Sequence, residues 1–297
     1  MSLVKLSFEQ KVFSQSMFWL EGLMEKNLLN HRGSETEILQ FILGHQICVA
    51  CHDCPVDGAD KLIRSLLQEF DEENSDLNLE NCDPLLVLLV NSVLKSQNLS
   101  SLRLSKFAQD VSLVIQNEVS LTDEDNADLF PTRFLLKKLG FNVSLKETFQ
   151  LKERPLDFWV KADESMMHSI ANEICASTVF GTKKPSCSEA TLDMLKTAFS
   201  AWTLNSLYEY KLDLGAFLGR TLSYLDSVDS RTLNEVYQFI LFQQQPDGRF
   251  GYLANEASKM KSKKDFNEKN DLYLPVTVSC LWTIAEMRNS KFRIFLM

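Results

Sequence analysis

The sequence predicts an all-α protein. Three observations carry that expectation. The chain of 297 residues is 45% apolar and holds 20 phenylalanines, ample material for an aromatic core. Gly (10) and Pro (7) are too scarce for the many turns that a sandwich or barrel of short strands needs. Apolar residues recur at spacings of three and four through most of the chain, the period of a helix with one buried face. No shift in composition marks a second domain, so residues 1–297 read as a single helical domain.

Taken in order, Ser7 and Gln10 form a capping box that leads into Phe13, Met17, Leu20 and Met24, one apolar stripe. Ser34 and Glu37 open a second helix with Ile38, Phe41, His45, Cys48 and His52 on one face. Helical patterns follow near 58–70, 84–97, 102–118, 129–140 and 163–179. A third box, Ser186 with Glu189, opens a helix whose inward residues are Leu192, Leu195, Phe199 and Trp202. Patterns near 211–225, 231–245 and 275–288 complete the set. Segments 71–83 and 120–128 are acidic and read as solvated connections. Segment 141–162 contains Pro155 and is less periodic, so an irregular crossing is expected there. Segment 252–273 carries Lys259, Lys261, Lys263, Lys264 and Lys269 among polar residues and reads as a mobile loop.

Thirty-one basic against 40 acidic residues give a net charge of -9, which repels nucleic acid and anionic lipid in the absence of a basic patch. The N-terminal stretch lacks an apolar h-region with a cleavage site, and no apolar run approaches the ~18 residues of a membrane span. Seven cysteines, an odd number at irregular spacing, fit reduced thiols. The expected location is cytoplasmic, with neither nucleic acid nor membrane as partner.

Gln244, Pro246, Asp247, Gly248 and Phe250 resemble the Q-x-x-D-G-x-W/F turn of α/α toroids such as terpene cyclases and protein prenyltransferase β subunits. In such a turn the glycine supplies φ > 0 and the ring packs over the next helix. Residues 168–181 and 274–282 are also similar to two segments of an uncharacterised bacterial family of helical toroids often found with natural-product gene clusters. Thr178, Phe180, Gly181, Thr277, Leu281 and Trp282 keep that family's pattern. Asn172, Val179 and Pro275 stand where it has histidine, aspartate and histidine. The resemblance covers about the second half of the chain. It implies an (α/α) toroid of about six helix pairs or a similar curved helical array, and binding or transformation of a hydrophobic small molecule in a central aromatic cavity, in specialised metabolism. The three departures support the rival expectation of a non-catalytic interaction protein on the same fold, and a protein partner stays open.

The candidate catalytic residues are His168, Asn172 and Asp247. His168 is a natural acid or base near neutral pH, and Asn172 lies one helical turn further along the same face. The candidate ligand contacts are Phe250, Tyr273, Thr277 and Trp282. Two weaker patterns stand beside them. Cys48, Cys51 and His52 match C-x-x-C-H, and with His45 they have the spacing of a zinc face; core packing is the preferred reading. Glu124, Asp125 and Asp128 match the acidic motif by which class I terpene synthases hold magnesium, with a helix-capping loop preferred. No metal site and no cofactor is assigned.

Overall fold

The structure, a computed structural model, describes residues 8–23, 34–51, 59–72, 78–118, 126–146, 149–225, 230–251, 265–288 and 292–297. Among them the chain forms twelve α-helices: α1 (Phe8–Leu23), α2 (Glu35–Cys51), α3 (Ala59–Asp71), α4 (Pro84–Ser96), α5 (Leu102–Glu118), α6 (Phe130–Leu139), α7 (Leu156–Lys161), α8 (Glu164–Thr178), α9 (Glu189–Tyr208), α10 (Leu212–Leu225), α11 (Arg231–Phe242) and α12 (Asp265–Arg288). The described residues contain no β-ladder, only isolated bridges between Gln150 and Ser186 and between Gln244 and Phe250. The protein is all-α.

Local chemistry sets the helix ends. The box at α2 closes in both directions: Glu37 N donates to Ser34 Oγ at 3.4 Å and Ser34 N to Glu37 Oε2 at 2.8 Å. Asp83 caps α4 ahead of Pro84, and Asp163 caps α8 by accepting from Met166 N at 2.8 Å. Helix α9 corrects one expectation. Its cap is Ser188, not Ser186, which accepts from Leu151 N and donates to Ser177 Oγ in a small crossing over the end of α8.

The expected loop over 252–273 is corrected in part. Residues 252–264 lie outside the described residues, but α12 already begins at Asp265 and runs through Pro275. The pattern expected over 275–288 has Pro275 at its first position. Here the buried face of α12, Tyr273, Leu274, Thr277, Val278 and Leu281, continues across it at helical spacing. Packing holds the helix despite one missing hydrogen bond.

Helix α10 occupies the centre, flanked by α8, α9, α11 and α12. Of its fourteen residues only Asp213 and Phe217 are not buried. Helix α12 packs on α10, α11, α2 and α1, so the C-terminal helix closes onto the N-terminal pair. Helix α4 joins α2 to α5 and α6. The buried residues form one connected hydrophobic cluster. Phe13, Phe41, Phe70, Phe180, Phe199 and Phe250 are its largest fully buried members. Each such ring contributes about 2–3 kcal/mol of burial free energy. No helix among the described residues is long and apolar enough to cross a membrane.

Candidate functional site

Where α10, α8 and α12 face α2 and α4, they enclose a cavity of about 550 Å³. Helical spacing places its walls: Glu164 and His168 on α8, Asp213, Phe217 and Arg220 on α10, and Pro275, Ser279 and Trp282 on α12. Leu43 of α2 and Leu86 of α4 close the apolar side. The mouth is framed by the ion pair of Lys211 Nζ with Glu164 Oε1 at 2.9 Å, which ties the start of α10 to α8. His168 lies flat on Phe217, with ring centroids 4.7 Å apart and an interplanar angle of 21°. The structure thus brings His168 and Trp282 to one space. Of the described phenylalanines, Phe217 alone is among the residues lining it, so the aromatic wall among the described residues is smaller than a chain with 20 phenylalanines leads one to expect.

Arg220 is the unusual member. It is only 7% exposed, and its guanidinium carbon stands 3.7 Å over the Trp282 ring and 5.6 Å from that of Phe217. Nη1 is buried without a hydrogen-bond partner. The nearby carboxylate, Glu286, is engaged elsewhere. It is 1% exposed and accepts from Tyr224 Oη at 2.6 Å, Trp282 Nε1 at 2.7 Å and Ile294 N at 3.1 Å. Arg293 Nη1 lies 3.7 Å from it and donates to its backbone carbonyl. Glu286 therefore orients Trp282 and is neutralised by Arg293, leaving Arg220 with a charge that no acidic group among the described residues matches. Gly181 packs against Tyr224 and Arg293. Its φ is +79°, and a Cβ there would stand 2.7 Å from Tyr224 Cδ1, so no other residue fits without displacing the ring that holds Glu286.

The other predicted site residues belong to a joint. The turn 243–251 seats on α1: Gln244 Nε2 donates to Val12 O at 2.8 Å, and Ser16 Oγ donates to Gly248 O at 2.6 Å. Gly248, at φ +102°, lies so close to the Gln15 carbonyl that a Cβ would overlap it. Asp247 accepts from Arg249 N at 3.3 Å and pairs with its Nε at 3.1 Å. The Arg249 guanidinium in turn lies 4.2 Å from the centre of the Tyr273 ring. Phe250 is fully buried and its N–H donates to Thr277 Oγ1 at 3.0 Å. Asp247, Phe250, Tyr273 and Thr277 thus fix the turn to α1 and α12 and do not line the cavity.

Asn172 follows His168 on α8 but turns to another partner: its Nδ2 donates to Asp128 Oδ1 at 3.0 Å, and Ser169 Oγ reaches Asp128 Oδ2 at 3.4 Å. Glu124 and Asp125 of the acidic motif lie outside the described residues, as does His52. His45 and Cys48 are wholly buried on α2. Burial, with smaller contributions from Cys51 and Glu21, pushes the Cys48 thiol well above its ordinary range, the reverse of what a thiolate ligand needs.

Sequence reasoning missed Arg220, Phe217, Tyr224 and Glu286. The signal for Arg220 was present, since it is the one basic residue of a mostly apolar α10. Compared with models of protein families, with curated proteins and with solved structures, the chain matches none.

Proposed function

We propose that the chain binds a hydrophobic small molecule in the cavity between α8, α10 and α12. The observation that carries this is the convergence of His168 and Trp282, chosen from sequence, on one space walled by Leu43, Leu86, Phe217 and Trp282. A concave, largely apolar site with a few convergent polar groups is the usual form of a small-molecule pocket. His168, exposed at the wall, is the group that a transformation of that molecule would draw on. The return of α12 onto α1 and α2 supports closure of the helices into a toroid-like ring. The resemblance to toroids of natural-product clusters supports specialised metabolism as the setting. Titration with 1-decanol tests the reading. Decanol should quench or shift Trp282 emission and raise the thermal midpoint, and Leu86→Trp, which fills the cavity, should abolish both. Absence of any response in the wild-type chain overturns the proposal.

A further inference from the structure

We infer that the ligand of this cavity is an amphipathic monoanion whose carboxylate seats on Arg220; this rests on the cavity being the ligand site. Arginine is the side chain least able to shed its charge, and a buried guanidinium normally carries an acidic or carbonyl partner. Arg220 has neither among the described residues: its Nη1 is buried and unpartnered, and its only close neighbours in the cavity are the rings of Trp282 and Phe217. Stacking on Trp282 fixes the plane of the guanidinium, and Arg220 is among the residues that line the cavity. Its natural counter-ion within the fold, Glu286, is already occupied by Tyr224, Trp282, Ile294 N and Arg293. A carboxylate arriving in the cavity beside Arg220 would supply the missing charge.

The rest of the cavity limits the anion. Lys211 is already paired with Glu164 at 2.9 Å and Glu209 at 3.3 Å, so it does not offer a second unmatched cation. Glu164 and Asp213 also line the space and repel a dianion. Arg220 is the cation of this wall without a carboxylate at ion-pair distance, which suits a single negative charge beside it, and the leucine and aromatic walls suit an apolar chain or ring attached to that charge. A carboxylate answers that description better than a phosphate monoester.

The experiment compares decanoate, 1-decanol and decyl phosphate on the wild-type protein by calorimetry at neutral pH. Decanoate should bind at least tenfold more tightly than decanol and more tightly than decyl phosphate. Arg220→Met should remove that preference, and Arg220→Lys should retain part of it. Equal binding of decanoate and decanol to the wild-type chain overturns the inference and leaves the hydrophobic-ligand reading standing. Preferred binding of decyl phosphate also overturns it, in favour of a phosphate head group. If neither decanol nor decanoate binds, both proposals fall. The wild-type comparison decides even if Arg220→Met does not fold. A preference for decanoate that survives in a folded Arg220→Met chain would show the anion to sit elsewhere.

Discussion

Helix α12 serves two regions along its length. Near its middle, Tyr273 and Thr277 receive the turn 243–251, held by Gln244 on Val12, Ser16 on Gly248, Asp247 on Arg249 and Phe250 N on Thr277, while Gln243 Oε1 and Arg249 Nε are buried without a hydrogen bond. One turn further, Trp282 faces the cavity, where Arg220 is buried with Nη1 unmatched. Both regions attract attention in the sequence, and both hold glycine, aromatic and charged residues in close order. They differ in the charge left over: Arg249 pairs with Asp247 at 3.1 Å, whereas Arg220 has no carboxylate at ion-pair distance among the described residues. A charge matched within the fold needs nothing from outside and serves stability. A buried charge left without an acceptor is a standing cost that a fold retains where something else supplies the partner.

Substitutions can break or sharpen that contrast. The largest expected effect is at the joint. Gly248→Ala places a Cβ onto the Gln15 carbonyl at a φ that L-residues avoid, and should cost about 3 kcal/mol in denaturant unfolding. A loss below about 1 kcal/mol would mean that the turn is free to move and is no joint. Thr277→Val keeps shape but leaves the buried Phe250 N–H without an acceptor, for an expected loss of about 1–2 kcal/mol.

The core beneath the cavity has a pH signature of similar size. Burial pushes the Cys175 thiol up to about 12, with Glu286 adding and Arg220 opposing, and burial likewise raises Cys48 and Cys280. These thiols stay protonated in the folded chain while those of the unfolded chain ionise from about pH 9. The folded state then holds more protons, so stability falls as pH rises above about 9, by up to about 1.4 kcal/mol per pH unit for each such group. Lys138 opposes this. Burial lowers it to about 8, so its contribution to stability rises with pH between about 8 and the ordinary lysine range. Three thiols outweigh one half-exposed lysine, and Cys175→Ala should flatten the alkaline decline measured by urea unfolding at successive pH values. An unchanged slope would show that Cys175 ionises freely in the folded chain.

The smallest effect is expected at the cavity. Arg220→Met should leave stability within about 1 kcal/mol of the wild type, since relief of an unmatched buried charge offsets the lost stacking on Trp282. A loss of about 3 kcal/mol would place Arg220 with the joint, as a structural residue.

Much of the fold was legible in the amino-acid order. The stripe of Phe13, Met17 and Leu20, the reciprocal Ser34 and Glu37 box, and the apolar period of 102–118 each specify a helix from contacts within a few residues. Local backbone chemistry is sufficient for them. It misplaced the cap of α9 because Ser186 and Ser188 are equivalent as side chains, and only the crossing of residues 150–151 over Ser186 separates them. It ended the polar segment too late because the strength of packing across Pro275 is set by α2 and α10, not by the residues beside the proline.

For the site, the sequence by itself determined which residue types were available, His168, Trp282, Asp247 and Thr277 among them, and that helices would carry most of them. Only the tertiary structure decided which of these share a space. Asn172 is one helical turn from His168 yet is held by Asp128, 44 residues away, while Arg220 reaches Trp282 from another helix. Whether a charge is matched depends on every group within a few ångströms, and in a helical core those groups come from segments far apart in the chain. Glu286 could be read as a carboxylate from the sequence. That Tyr224, Trp282 and Arg293 already claim it, and so leave Arg220 for a ligand, is a property of three-dimensional proximity alone.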